Sequence, residues 1–124
     1  MALNVLVVDD SLMMRRMVCR ALKSGGMPID DIAQAANGKE AQDSILEGRT
    51  FDLVCLDLNM PVMGGLDLLR WLRTTEPHQT LPVIVVSSEG NVDRIEEVKS
   101  LNAAMIRKPF TPEQLVRAFL EAVA

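Results

Sequence analysis

The order of patterns along the chain predicts an α/β fold, in which a five-stranded parallel sheet is doubly wound, with helices on both faces. Short apolar runs alternate five times with segments of helical period, as expected when parallel strands are joined by crossover helices. The first, third and fourth runs are continuously apolar, which is typical of strands covered on both faces. The predicted strands are residues 5–8, 31–35, 53–56, 82–86 and 104–106.

Five helices are predicted, one after each strand. The first has apolar residues at helical spacing, which are Met14, Met17, Val18, Ala21 and Leu22. Gly25 and Gly26 end it. The next three are predicted at residues 39–47, 65–74 and 91–101.

The last helix has a clear start at Thr111, which is a candidate N-cap. Pro112 occupies the first helical position, and Gln114 completes a capping box. One apolar face then follows, formed by Leu115, Ala118, Phe119 and Ala122.

Composition excludes several classes of protein. A chain of 124 residues, 48% hydrophobic and 24% charged, is expected to form a single domain over 1–124 with its own core. No apolar run approaches about 18 residues and no leader is apparent, so we expect a cytoplasmic protein that does not span a membrane. A net charge of −4 argues against direct binding of nucleic acid.

The residues that most often carry catalysis or bind zinc are scarce. Cys19 and Cys55 lie in apolar periodic segments and are interpreted as free core thiols. His78, the single histidine, lies in a polar stretch and is interpreted as a solvated loop residue. A zinc site, or a nucleophile activated by histidine, is therefore not expected.

Polar residues cluster where the predicted strands end. Asp9 and Asp10 follow the first strand, Asp57 follows the third, Ser87 ends the fourth, and Lys108 follows the fifth. Each alone could be a helix cap, a turn residue or a solvated charge. Because ligands bind at the carboxyl edge of an open parallel sheet, we expect the five side chains to converge.

This set of side chains indicates phosphoryl chemistry. Three crowded carboxylates repel one another unless a cation joins them, and Mg²⁺ suits carboxylate oxygens that share its shell with phosphate. A carboxylate can also accept a phosphoryl group as a nucleophile. A hydroxyl and a lysine can stabilise the phosphoryl oxygens.

Three sequence strings together resemble a known family. They are VLVVDDS at residues 5–11, DLNMPVMGG at 57–65 and KPF at 108–110. The chain is similar over its whole length to CheY-like receiver domains of two-component response regulators, and most to the stand-alone chemotaxis type. The resemblance implies a flavodoxin-like fold with strand order 2-1-3-4-5. It also implies a phosphorylation-activated switch rather than an enzyme with a substrate of its own.

The resemblance also implies roles for individual residues. Asp57 is expected to accept the phosphoryl group from a histidine kinase or histidine phosphotransfer domain, while Lys108 and Ser87 bind the phosphoryl oxygens. The expected cofactor is Mg²⁺, with Mn²⁺ as a substitute. Its implied ligands are Asp10, Asp57 and the backbone carbonyl of Asn59, with Asp9 acting through water.

Further residues are implied to control switching and hydrolysis. Ser87 and Met105 are expected to form the switch, with Met105 where the family commonly has an aromatic residue. Asn59 and Glu89, each two residues past a site residue, are expected to tune attack by water and to allow a short-lived phosphoryl group. The peptide before Pro109 resembles one that is cis in the family.

Two other positions depart from the family. Gly64 stands where an acidic or polar residue is frequent, which predicts a flexible loop. Leu58 replaces a tryptophan of some chemotaxis relatives, and the lone Trp71 lies on the third helix, where core and half-exposed positions both fit.

The resemblance implies only the kinds of partner that the protein binds. A downstream protein is expected to dock on the fourth helix, fifth strand and fifth helix, a phosphatase is a further expected partner, and the chain is expected to be a monomer. A basic stripe on the first helix is either a solvated face or a docking site for an acidic domain; it consists of Arg15, Arg16, Arg20 and Lys23.

Other functions stay open at the level of sequence. One is a Mg²⁺-dependent phosphatase with an aspartyl nucleophile, although the five strand–helix units leave little chain for a substrate-binding cap. Another is a receiver fragment of a larger regulator. A flavodoxin-like cofactor binder is disfavoured, because Asp9 and Asp10 would repel a flavin phosphate and no glycine-rich cradle is present.

Overall fold

Strands and helices alternate through residues 2–123, the part of the chain that the computed structural model describes. The strands are β1 (Leu3–Val8), β2 (Ile29–Ala35), β3 (Leu53–Leu56), β4 (Val83–Ser87) and β5 (Ala104–Arg107). The helices are α1 (Leu12–Ser24), α2 (Gly38–Leu46), α3 (Gly65–Arg73), α4 (Val92–Ser100) and α5 (Pro112–Val123). A short 3₁₀ helix, His78–Thr80, precedes β4.

All the strand pairs are parallel, and the sheet has the order β2-β1-β3-β4-β5. The predicted fold class and strand order are therefore confirmed. β1, β3 and β4 occupy the middle of the sheet and are buried almost throughout, which explains the continuous apolar runs at residues 5–8, 53–56 and 83–86. β2 and β5 lie at the edges and are more exposed.

The sheet separates two hydrophobic cores. On one face, α1 and α5 pack against the strands, and Leu22 and Phe119 are fully buried there. On the other face lie α2, α3 and α4, with Leu69 and Val98 fully buried. Helices on both faces complete the doubly wound architecture.

Side chains cap the helices as their sequences predict. Thr111 Oγ1 accepts a hydrogen bond from the Gln114 N–H, and Gln114 Oε1 accepts one from the Thr111 N–H, which confirms the capping box. Ser11, Asn37 and Asn91 cap α1, α2 and α4 in the same manner, each accepting a backbone N–H from its own first turn.

Several local predictions need correction. β1 and β2 each begin two residues earlier than expected, because Leu3 pairs with Ile29 beyond the apolar runs. His78 is not a solvated loop residue; it is half-buried in the 3₁₀ helix, with its ring 5.8 Å from that of Trp71, which is also half-buried.

Both cysteines are free, as predicted, but only Cys55 is fully in the core, since Cys19 is partly exposed. Within residues 2–123, no helix has the length and apolar character needed to cross a membrane.

Candidate functional site

Backbone pairing brings the predicted acids together. Val8 and Leu56, the last residues of β1 and β3, are register partners in neighbouring strands. Pairing continues one residue further, because the Asp57 N–H donates to the Val8 carbonyl at 3.0 Å and the Asp9 N–H donates to the Ala35 carbonyl at 3.1 Å. Asp9 and Asp57 are therefore fixed side by side at the carboxyl edge of the sheet.

The three carboxylates form one cluster. Asp9, Asp10 and Asp57 each offer a carboxylate oxygen, and these oxygens all lie within 4.8 Å of one another. Asp9 and Asp57 are buried, whereas Asp10 is exposed. Oxygen atoms at this spacing fit a hard divalent cation, which prefers carboxylate ligands. The predicted acidic cluster is thus present in the structure.

Lys108 is the cation that faces this cluster. Its Nζ lies 3.5 Å from Asp9 Oδ2 and 3.5 Å from Asp57 Oδ2. Three carboxylates and one ammonium leave two unbalanced negative charges when all are ionised. This excess of negative charge favours binding of a cation at the mouth of the site.

The pKa of Asp9 responds to its burial and to the charges around it. Burial raises the pKa of Asp9, and the nearby Asp57 charge raises it further. A hydrogen bond from the Ser11 N–H, 2.9 Å from Asp9 Oδ1, and the Lys108 ammonium act in the opposite direction on this pKa. Burial is the largest of these effects, so the carboxylate is held in its position against the preference of its charge for water.

The two other predicted site residues, Ser87 and Lys108, lie at the ends of β4 and β5. The Lys108 N–H donates to the Ser87 carbonyl at 3.0 Å, so the ends of the two strands are joined directly beside the acids. Ser87 is fully buried, and its Oγ accepts a hydrogen bond from the Glu89 N–H at 3.2 Å. The peptide between Lys108 and Pro109 is cis, as the resemblance implied.

Ser87 and Met105 lie on the same face of the sheet. Met105 is the register partner of Val85, and side chains two residues apart on a strand share a face. Val85 and Met105 belong to the core that contains Val98 of α4. The two predicted switch residues therefore lie on adjacent strands on the face that α4 covers.

Asn59 and Glu89 are linked by a residue that the sequence analysis did not identify. Nη1 of Arg94 lies 3.2 Å from Asn59 Oδ1 and 2.5 Å from Glu89 Oε1. Arg94 lies in the first turn of α4, five residues past Glu89 and in a different element. No helical i, i+4 spacing marks this pair, so only the fold could reveal it.

The loop between β3 and α3 passes very close to Asp57. A Cβ atom on Gly65 would lie 2.0 Å from the Asp57 carbonyl oxygen, so a side chain there would displace the backbone at Asp57. Gly64 has φ −75° and ψ 168°, an extended conformation that any residue adopts, so the structure does not require its flexibility. Its lack of a side chain leaves α3 without a side-chain N-cap.

The predicted basic stripe on α1 is only partly a surface feature. Arg15 turns towards the site, where its Nη1 donates to the Asp9 carbonyl at 2.6 Å and its Nε donates to Gln34 Oε1 at 3.0 Å. Arg15 therefore supports the backbone of the acidic cluster. Arg16, Arg20 and Lys23 remain exposed.

Known proteins resemble this chain in sequence and in structure. The family model described as the response regulator receiver domain matches residues 5–120. A CheY homologue of Campylobacter jejuni is 36% identical over 91% of this chain and 86% of its own length. Chemotaxis protein CheY1 of Helicobacter pylori is 35% identical over 98% of this chain and 96% of its own length.

A solved structure of Vibrio cholerae CheY4 superposes with a TM-score of 0.84 at 31% identity, covering 98% of this chain and 99% of that protein. A response regulator receiver protein from Pseudomonas putida gives a TM-score of 0.86 at 30% identity, with 98% of both chains covered. These findings agree with the acidic edge of the sheet and do not favour the phosphatase alternative. The chain belongs to the response regulator receiver domain family and is a phosphorylation-activated, CheY-like response regulator.

Proposed function

We propose that Asp57 is the residue that accepts the phosphoryl group, from a phosphohistidine on a kinase or phosphotransfer domain. The observation that supports this is the position of the Asp57 carboxylate, which contacts Lys108 beside two further acids. An Asp57 oxygen forms a bond to phosphorus while the bond from phosphorus to the histidine nitrogen breaks. The released imidazole takes a proton from solvent, so charge and atoms balance.

Lys108 and Ser87 stabilise the transferred group. The Lys108 ammonium is already shared between Asp9 and Asp57, so it can follow negative charge onto the phosphoryl oxygens without leaving the site. The Ser87 hydroxyl ends the neighbouring strand and can donate to the same oxygens once it turns from its present contact with Glu89.

Asp10, Asp57 and the Asn59 carbonyl would hold Mg²⁺, with Mn²⁺ as a substitute and Asp9 acting through water. The donor set is all oxygen, and the cluster has the excess negative charge described above. When bound, the ion neutralises charge on the phosphoryl oxygens.

Hydrolysis then resets the switch. A water oxygen forms a bond to phosphorus, the bond from phosphorus to Asp57 breaks, and inorganic phosphate leaves while a proton passes to solvent. The protein catalyses only its own phosphorylation and dephosphorylation in this scheme.

Labelling with acetyl phosphate tests the acceptor. We expect one acid-labile phosphoryl group per wild-type chain with Mg²⁺, none with EDTA, and none in Asp57→Asn. Asp30→Asn removes an exposed carboxylate on β2, away from the cluster, and is the matched control that should label normally. Labelling of Asp57→Asn at the wild-type rate would disprove the assignment. Multiple turnover of small phosphate esters would instead favour the phosphatase alternative.

Ser87 and Met105 form the switch in this proposal. Movement of Ser87 towards the phosphoryl group vacates space beneath α4, on the face that Met105 shares. Met is unbranched and can fill such a gap in several rotamers, so we expect the unphosphorylated protein to sample the active surface. NMR relaxation dispersion with and without beryllofluoride measures this exchange. One rigid Met105 conformation in both states, while Ser87 moves, would contradict the coupling.

The proposed output surface is α4, β5 and α5, which a downstream protein would recognise after phosphorylation. Val92 and Leu120 provide exposed apolar side chains on its two helices. The protein would act as a monomeric, cytoplasmic receiver domain over residues 1–124, without contacting nucleic acid, and a phosphatase could accelerate its resetting. Weakened binding of the phosphorylated protein to its target in Val92→Ser and Leu120→Ser would support this surface.

A further inference from the structure

Arg94 joins the two loops that flank the proposed phosphorylation site. Asn59 is two residues past Asp57 on the β3–α3 loop, and Glu89 is two residues past Ser87 on the β4–α4 loop. A single nitrogen, Nη1 of Arg94, donates to the side-chain oxygens of both, at 3.2 Å and 2.5 Å. The bridge therefore ties the two loops together at the start of α4.

The bridge also occupies the Glu89 carboxylate. Glu89 Oε1 accepts from Arg94, and Oε2 lies 3.1 Å from the Gly90 N–H and 3.3 Å from the Asn91 N–H. Side-chain exposure is 16% for Glu89 and 37% for Arg94, so solvent screens the pair only partly. Both oxygens of this carboxylate therefore already accept hydrogen bonds from the protein, which compete with a water molecule for them.

The backbone of Arg94 is fixed as well. Its N–H donates to Oδ1 of Asn91, the N-cap of α4, at 3.0 Å. The guanidinium thus reaches the two loops from a capped helix end, and an arginine keeps its charge at all physiological pH values.

We infer that Arg94 is a positioning residue that lengthens the life of the phosphoryl group, by holding Asn59 and Glu89 together and keeping Glu89 from activating water. This inference rests on the proposed function of Asp57. When the bridge is absent, the Glu89 carboxylate can accept a proton from the water whose oxygen attacks phosphorus. The bond from phosphorus to Asp57 then breaks, and inorganic phosphate leaves.

The test measures decay of the phosphoryl group after removal of excess acetyl phosphate in the presence of Mg²⁺. Arg94→Met keeps an unbranched side chain without charge or donors and should decay at least about threefold faster, well below the ~100-fold that a fully engaged general base supplies. Arg94→Lys retains the charge and should restore decay towards the wild-type rate. Arg117→Met removes an exposed arginine on α5 and should decay like the wild type.

A Glu89→Gln background separates positioning from a general effect on the fold. Gln cannot take a proton from water, so Arg94→Met should change decay much less in this background than in the wild type. Unfolding temperatures of all variants would show whether a change in decay follows stability instead, which would contradict the inference.

The results would separate the role of Arg94 from the role of Asp57. Unchanged or slower decay in Arg94→Met, or the same acceleration in both backgrounds, would overturn the role of Arg94 while leaving Asp57 as acceptor. No labelling of the wild-type chain would overturn the proposed function, and this inference with it.

Discussion

α3 and α4 are neighbouring helices of the same length, nine residues each, but they are attached to the protein in different ways. α3 buries Leu66, Leu68, Leu69 and Leu72 against the sheet, together with Gly65. α4 has one buried residue, Val98, and Val92 and Ile95 are only partly covered or exposed. Burial of leucine side chains contributes most of the attachment of α3, and α4 lacks an equivalent contribution.

Charged side chains make further, weaker attachments between α4 and the rest of the protein. Arg70 on α3 forms a two-pronged ion pair with Glu97 on α4, with Nη2 2.7 Å from Oε1 and Nε also bound to Oε2. Arg94 holds the other end of α4 through Glu89 and Asn59. The Arg70–Glu97 pair lies at the surface, and surface ion pairs contribute little to stability. The helix that covers Met105 is therefore attached with less buried apolar surface than α3, and we expect it to be the more easily displaced of the two.

The end of α3 is also fixed by Arg73. Its Nε donates to the Leu101 carbonyl at 2.7 Å and its Nη1 to the Leu81 carbonyl at 2.8 Å. Burial lowers the pKa of this guanidinium, although arginine stays charged in proteins. Arg73 therefore links α3 to the C-cap of α4 and to the loop that leads into β4.

Equal truncations on the two helices are the strongest test of this comparison. Leu69→Ala and Ile95→Ala each remove three carbons, but Leu69 is fully buried and Ile95 only half-buried. We expect a loss of about 3 kcal/mol in unfolding free energy for Leu69→Ala and about 1 kcal/mol for Ile95→Ala. Urea unfolding measures both. Equal losses would show that α4 is packed as firmly as α3.

Local sequence patterns could predict most of the features that build the sheet, cap its helices and place the acidic residues. Continuous apolar strands, the capping box at Thr111 and the acids after β1 and β3 are patterns of neighbouring residues, and the parallel sheet then brings the acids together. The attachments of α4 could not be predicted in this manner. Arg94 and Arg70 meet partners from other elements, and a charged residue on a helix surface gives no local sign of its partner.

A residue with positive φ lies next to each of the two helices. The two residues differ in how well their side chains tolerate this backbone conformation. Val62, before α3, has φ 68° and is 83% exposed, whereas Asn102, after α4, has φ 56°. A β-branched residue is strained in this region, and asparagine tolerates it. We expect Val62→Asn to raise the unfolding free energy by about 1 kcal/mol, and Asn102→Val to lower it by a similar amount.

Thermal and urea unfolding of the two variants measure these effects. The strain at Val62 lies in the loop that carries Asn59, so a stabilised Val62→Asn with unchanged phosphoryl decay would show that the strain has no role in hydrolysis. Destabilisation by Val62→Asn would mean that contacts of the valine side chain stabilise the protein by more than the backbone strain destabilises it.

The smallest expected effect concerns the ion pair that joins the two helices. The hydrogen bond from Arg70 lowers the pKa of Glu97, and Arg94 lowers it further by its charge. Because the folded-state pKa is the lower one, the pair's contribution to stability is complete above the ordinary glutamate value and is lost as pH falls through the folded-state value. Arg70→Met should raise the pKa of Glu97 towards its ordinary value, because the hydrogen bond from Arg70 is the largest cause of its lowering. Carboxyl-carbon NMR titration measures this shift.

Arg70→Met should also speed hydrogen exchange of α4 amides but leave those of α3 unchanged, since α3 is held by its leucines. Equal acceleration in both helices would mean that the ion pair supports the whole face of the sheet, and the contrast between a fixed α3 and a displaceable α4 would fail.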